Sequence, residues 1–270
     1  MHAFDYRRPA TLDEALRLLA AEPEARPLAG GMTLIPTLKQ RLASPAMLVD
    51  LAGVAELRRI EEQDGAIVLG AMARHADVAA STLVRARLPA LAGLAEGIGD
   101  PHVRNRGTCG GSIANADPSA DYPAAVLGLG ATLVTDRREI RGDDFFLDLF
   151  ETALMPGEIL TAIRFPIPDV AGYVKIPNPA SRYATVGVFV ARFGRTVRVG
   201  VTGAAPSAFR LIVTEAALER SFDVRSVDET EVVEDALNTD GHAAADYRAH
   251  LVGVAARRAV ALCLDGSPRA

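Results

Sequence analysis

Apolar residues in the first fifty positions switch between helical and extended spacing. Leu12, Ala15, Leu16, Leu18 and Leu19 recur at three- and four-residue intervals and stop before Pro23, the stripe of a helix packed on one side. Thr11 and Glu14 stand at its start with capping-box spacing, a hydroxyl facing forward and a carboxylate reaching back. An extended run over 26–29 follows, then a helix over 34–42 with its stripe at Leu34, Ile35, Leu38 and Leu42, then a strand over 47–51. Residues 57–61 and 66–69 predict two strands about the polar turn Gln63-Asp64-Gly65. Helical spacing returns at His75 and continues over 83–95, with Leu88, Leu91, Leu94 and Ala95 facing inward. An apolar helix-like run covers 122–129, a strand 131–135, a short helix 144–150 and a further strand 159–165, which Pro166 and Pro168 close.

A Pro- and Gly-containing run over 166–172 has the composition of a linker. Beyond it the spacing becomes strictly alternate at Val197, Val199 and Val201, which predicts a hairpin of strands 186–193 and 196–203 about Gly194-Arg195. Helices are expected over 209–220, 232–237 and 243–264. The pattern specifies an α+β chain in three lobes, 1–56, 57–168 and 169–270, the first two jointly holding a ligand, with no internal repeat.

Two stretches have no periodicity of their own and concentrate glycine. Gly107-Thr108-Cys109-Gly110-Gly111-Ser112-Ile113-Ala114-Asn115-Ala116-Asp117-Pro118-Ser119-Ala120-Asp121 runs into the helix at 122. Ala29-Gly30-Gly31-Met32-Thr33-Leu34 lies between a strand and a helix. Glycine costs chain entropy, and close approach of backbone to a ligand is a reason to accept that cost. Bared N–H groups in such turns, at the positive end of a helix, attract a phosphate. Neither stretch is a GxGxxG or GxxxxGK[ST] fingerprint, so a Rossmann or P-loop fold is not indicated. Two such loops suit a ligand carrying a diphosphate, held from two sides.

Composition narrows the chemistry. The 270 residues carry a formal net charge of -5 with arginines scattered along the chain, which gives no basic patch for nucleic acid. No apolar run reaches the roughly 18 residues of a membrane span. The N-terminal stretch lacks the apolar core of a secretory signal, so a cytoplasmic location is expected. Cys109 and Cys263 are the only cysteines, far apart in sequence, and the five histidines show no metal-ligand spacing. Redox chemistry would therefore need an organic cofactor.

The two glycine loops, about eighty residues apart, give the chain a specific likeness. It resembles the FAD-binding medium subunits of the molybdenum hydroxylases, the family of aerobic carbon monoxide dehydrogenase and xanthine dehydrogenase. That family carries an AGG-small-T/S loop and a T-x-GG-N/S loop that ends in P-x-x-D; both are present here in that order. The resemblance implies a vanillyl-alcohol-oxidase-like (PCMH-type) FAD module in two subdomains, with a C-terminal α+β domain of the carbon monoxide dehydrogenase flavoprotein type. It implies FAD contacts from Ala29, Gly30, Gly31, Met32, Thr33 and Leu34 in the first loop, with Thr33 as the hydroxyl donor. In the second loop it implies Thr108, Gly110, Gly111, Ser112, Asn115 and Asp121; Ser112 stands where the family often has asparagine. Further on it implies Leu160, Lys175 and Tyr183. Lys39 and Lys175 are the only lysines among 29 Lys plus Arg, so 27 are arginine, and a lysine at 175 hints that a compact ammonium is wanted there. Tyr183 is placed to stack on a flavin.

Bland alternatives stand beside these roles. Asp121 suits a helix N-terminus, Thr33 a plain cap, Lys175 and Tyr183 a strand with solvated tips, and Leu160 a core. His102, Arg104 and Cys109 are read as structural. The resemblance also implies a relay of electrons from [2Fe–2S] clusters to an external acceptor, without acid–base residues in this chain. It further implies a large molybdopterin subunit and a small [2Fe–2S] subunit, in a dimer of heterotrimers. A stand-alone FAD oxidoreductase and a flavin-free scaffold subunit are the other readings.

Overall fold

The computed structural model describes residues 1–228 and 232–266. Its first unit alternates strand and helix: β1 (Asp5–Arg7), α1 (Leu12–Ala21), β2 (Ala25–Leu28), α2 (Leu34–Lys39) and β3 (Met47–Asp50). The strands form a parallel sheet in the order β1-β3-β2. Thr11 Oγ1 accepts from Glu14 N at 3.2 Å, and the Glu14 carboxylate accepts from Ala10 N at 3.0 Å. So capped, α1 buries Ala15 and Leu19 against Val49, Leu51 and Val54.

The second unit opens with β4 (Ile60–Gln63) and β5 (Ala66–Gly70). Six helices follow: α3 (His75–Ala80), α4 (Thr82–Arg87), α5 (Pro89–Glu96), α6 (Pro101–Arg104), α7 (Cys109–Asn115) and α8 (Tyr122–Leu129). Then come β6 (Thr132–Thr135), β7 (Glu139–Arg141), the small hairpin β8 (Phe146–Asp148) and β9 (Glu151–Thr152), and β10 (Leu160–Pro166). The main sheet is antiparallel, β4-β5-β10-β6-β7.

The third unit is a second antiparallel sheet of β11 (Val170–Pro177), β12 (Ala184–Phe193), β13 (Thr196–Thr202) and β14 (Phe209–Arg210). It is backed by α9 (Ile212–Arg220), α10 (Arg225–Asp228) and α11 (Ala245–Asp265). Alternation along β12 serves two cores at once: Val186, Val188 and Val190 join the core under α11, while Phe189 and Ala191 join that of the second unit. A strand covered on both faces reads as a nearly continuous apolar run. Helix α8 is buried at every position and has no polar stripe, because the third unit's sheet and the second unit enclose it. Gly200 permits this closeness, since an added Cβ there would overlap the Ala124 carbonyl oxygen and lie 2.7 Å from Gly128 N. Among the described residues no helix is long and apolar enough to cross a membrane.

Several expected elements differ. The helix over 83–95 is two helices, because Leu88 precedes Pro89 and takes φ -146° and ψ 63°. Residues 55–58 form a 3-10 turn and the strand there starts only at Ile60. The stretch 144–150 is not a helix but a 3-10 turn and the β8–β9 hairpin, with Phe150 at φ 55° at its tip. Phe209 and Arg210 pair with β13, so α9 begins at Ile212. The expected linker is mostly strand, β11 starting at Val170. Residues 232–237 hold a single 3-10 turn, and α2 ends at Lys39 rather than at 42.

Candidate functional site

The first glycine loop leaves β2 and enters α2. Gly31 adopts φ +73°, and Gly30 rests on the second loop: a Cβ there would overlap the Arg106 carbonyl oxygen and lie 2.7 Å from Gly107 Cα. The two loops therefore touch backbone to backbone. Within the described protein the N–H groups of residues 30–34 have no acceptor. Thr33 occupies the N-cap position but makes no cap hydrogen bond, so its exposed hydroxyl is unspent.

The second loop departs from expectation. Residues 109–115 are the helix α7 rather than an open loop, capped by Thr108 Oγ1, which accepts from Gly111 N at 3.1 Å. Cys109 N donates to Ala73 O and Gly110 N to Ala71 O, both at 2.9 Å, and Ser112 N to Thr108 O at 3.0 Å. Bared amides are thus a property of the first loop and not of residues 109–112. The second loop's glycines serve closeness instead. An added Cβ at Gly110 would overlap Ala71, and one at Gly111 would lie 3.2 Å from Ala29 Cβ. This loop offers a ligand the side chains of Ser112 and Asn115 and a smooth glycine surface.

Past α7, Ala116 is left-handed at φ 46° and Asp117 Oδ1 accepts from Ser119 N, which turns the chain to Asp121 at the entrance of α8. The third unit holds this turn: Thr202 Oγ1 donates to the carbonyls of Pro118 and Ala120, and Gly203 N donates to Pro118 O. Asp121 is 4% exposed and paired with Lys175, whose Nζ lies 2.9 Å from Oδ2 and also donates to Gly97 O at 3.2 Å. Tyr173 Oη donates to the other oxygen, Oδ1, at 2.6 Å. Burial pushes the Asp121 carboxyl up, and Lys175 and Tyr173 pull it back.

All these elements surround one cavity of about 780 Å³, within the range of roughly 300–1,000 Å³ usual for ligand pockets. Every site residue named from the sequence lines it: the whole of 29–34; Thr108, Gly110, Gly111, Ser112, Asn115 and Asp121; and Leu160, Lys175 and Tyr183. Tyr183 is 45% exposed, on a turn that Asn178 Oδ1 caps through Ala180 N and Ser181 N. Leu160 is buried wall at the start of β10. His102 and Arg104 lie off the wall, Arg104 holding the carbonyls of Ile98 and Gly99. Cys109 is fully buried and its thiol is pushed up by burial, which suits packing.

Sequence reasoning passed over Arg26, His75, Asp117, Glu158 and Arg182, which also line the cavity. His75 is 4% exposed, and burial, with the nearby Arg104 charge, lowers it to about 4, so its imidazole is neutral near pH 7. A Cβ on Gly107 would lie 2.6 Å from its Nε2, which is why that position is glycine. No spacing signal could have found a lone histidine at a helix start. Asp117 lies within the second glycine loop, and burial raises its carboxyl.

Glu158 fixes the segment that carries Ile159 and Leu160 to the wall. Its carboxylate accepts from Arg138, from Met155 N at 2.8 Å and from Thr135 Oγ1 at 2.7 Å. Chiefly through Arg138, it is lowered from 4.5 to about 2. A lowered carboxyl contributes stability that is present above the unfolded value and lost as pH falls through the folded one. A loss of stability is therefore expected between about pH 4.5 and about pH 2, and Glu158→Gln should remove it. Thermal melts of both proteins across that window check it; parallel curves would contradict it.

Comparison with known proteins agrees with this geometry. A family model described as "FAD binding domain in molybdopterin dehydrogenase" matches residues 2–168. The carbon monoxide dehydrogenase medium chain of Afipia carboxidovorans is 36% identical, over 96% of each chain. The nicotine 6-hydroxylase medium subunit of Paenarthrobacter nicotinovorans is 32% identical, again over 96% of each. Among solved structures, carbon monoxide dehydrogenase from Oligotropha carboxidovorans superposes with a TM-score of 0.91 at 34% identity, over 98% of this chain and 99% of that one.

Proposed function

The chain belongs to the family of FAD-binding medium subunits of molybdenum hydroxylases, and from that premise we propose that it relays electrons from the [2Fe–2S] clusters of a small partner subunit to an external acceptor. It is an oxidoreductase subunit whose cofactor is FAD. A large molybdopterin subunit oxidises the substrate in this reading, and the assembly is a cytoplasmic dimer of heterotrimers. The proposed units are 1–56 and 57–168 for FAD and 169–270 as the C-terminal domain.

The observation that carries the reading is the meeting of two glycine loops on one cavity whose wall holds every residue the motifs named. The cradle fits FAD. Amides of 30–34 are free for a diphosphate, and glycine at 30, 110 and 111 lets backbone come close where a side chain would intrude. Ser112, Asn115, Asp117 and Thr33 would offer FAD side-chain hydrogen-bonding groups from the cavity wall. Lys175, paired with the Asp121 carboxylate, brings an ammonium to the cavity wall, and Tyr183 offers an exposed ring for stacking. Bound flavin supplies the ability to take electrons singly and pass them on as a pair. The protein's part is to orient it and set the charge around it.

Affinity purification of the tagged chain from its natural host tests the relay. Two further chains, one bearing [2Fe–2S] absorption, should copurify, and substrate should bleach the flavin only in that complex. Bleaching of the isolated chain by the substrate alone would show a stand-alone oxidoreductase instead.

A further inference from the structure

Tyr173 belongs to neither glycine motif, yet three features of the fold serve its hydroxyl. It sits two residues before Lys175 on β11, so strand alternation puts both side chains on the face turned to Asp121. Its ring lies 6.0 Å from that of Phe189, its partner across β12. The residue facing Lys175 on β12 is Gly187, where an added Cβ would lie 2.6 Å from Tyr173 Oη and 2.9 Å from a Thr202 methyl. Glycine weakens the middle of a strand; here its absent side chain is the slot that admits the tyrosine hydroxyl.

We propose that Tyr173 is a positioning residue of the FAD site: its hydroxyl, seated over Gly187, fixes the Asp121 carboxylate so that the carboxylate faces Lys175 as a constant acceptor on the cavity wall. The inference rests on the FAD reading above and adds a residue to it. Asp121 is enclosed by few charged or titratable groups. Lys175 and Tyr173 reach it from β11, Asp117 precedes it on the same turn, Tyr122 follows it in α8, and Tyr183 approaches from the β11–β12 turn. Of these, Lys175 and Tyr173 donate to its two oxygens. Without the phenol one oxygen of a buried carboxylate loses its donor, and the proton is held to higher pH. The net charge beside the flavin then changes at a different pH from that of the parent chain.

FAD affinity of the full chain, measured by fluorescence quenching from pH 4 to 9, reads this directly. His75 and Asp117 line the same cavity and titrate in their own right, so the break that reports Asp121 is the one that Asp121→Asn abolishes. Tyr173→Phe should move it up by about one pH unit, the effect expected for one hydrogen bond to a charged group. Gly187→Ala, which pushes the hydroxyl off its seat, should shift the break the same way and decides the matter if Tyr173→Phe does not fold. A tyrosine that only fills space would change the melting temperature and leave the break in place. Coincident profiles for wild type and the two variants, or an Asp121→Asn profile identical to that of wild type, would overturn the proposal. Failure of the wild-type chain to bind FAD at any pH would instead overturn the reading beneath it.

Discussion

Gly30→Ala is expected to weaken FAD binding by at least about 100-fold in a chain that still folds. The added carbon has nowhere to go: it meets the Arg106 carbonyl oxygen and lies 2.7 Å from Gly107 Cα and 2.8 Å from the Arg106 carbonyl carbon. All three are backbone, so no rotamer change relieves the clash, and the two loops must part. Displacements of about 1 Å in a positioned site cost on the order of 10²-fold, which is about 2.8 kcal/mol of binding at 1.4 kcal/mol per tenfold. Gly93→Ala is the matched control. It lies within α5 with nothing within 4 Å of an added Cβ, and alanine there should leave affinity unchanged and raise stability slightly. Isothermal titration of FAD into the three proteins checks both. Equal affinity for wild type and Gly30→Ala would mean that the contact between the loops has no part in binding.

The second large effect concerns stability. Lys175→Met removes the counter-charge of an aspartate that is 4% exposed, the lysine side chain itself being 12% exposed. Breaking such a pair costs about 3–5 kcal/mol, because a lone charge stays buried. For a chain of this size that lowers the melting temperature by about 6–20 °C. The sign with pH follows from the raised Asp121 carboxyl. Protonation discharges the orphan, so the loss is greatest at high pH and shrinks on acidification. Removing both charges in Asp121→Asn/Lys175→Met should recover much of the loss. Melting curves at pH 5, 7 and 9 for the single and double variants are decisive. A Lys175→Met protein within about 2 °C of wild type at pH 9, less than the shift one kcal/mol brings, would show that the pair is screened by water.

What the sequence disclosed follows from the range of the forces involved. The Thr11–Glu14 cap, the α1 stripe and the β12–β13 hairpin are set by neighbours within a few residues, and they appear as read. Helix α7 was not legible as a helix. Glycines at 110 and 111 disfavour it, and it forms because Thr108 caps it while Ala71 and Ala73 take its first amides. Those partners lie 36 and 39 positions away in the chain (109 against 73, 110 against 71), and no local pattern encodes them. The same holds for β11, which runs through a stretch that looks like a linker because its glycine and prolines are legible and its pairing with β12 is not. The cavity-lining residues of the two loops could be named from two motifs, and Leu160, Lys175 and Tyr183 from the family resemblance. How they are used could not: the spent amides of 109–112, and the tie of Asp121 to Tyr173 and Lys175, are long-range facts.

A crystal structure of the chain with FAD bound is the most direct examination of the central claim. The diphosphate oxygens should lie about 3 Å from backbone nitrogens within residues 30–34, a hydrogen-bonding distance. The flavin ring should lie between Tyr183 and the Lys175–Asp121 pair. A diphosphate seated outside the first glycine loop, or FAD held anywhere but this cavity, would contradict it.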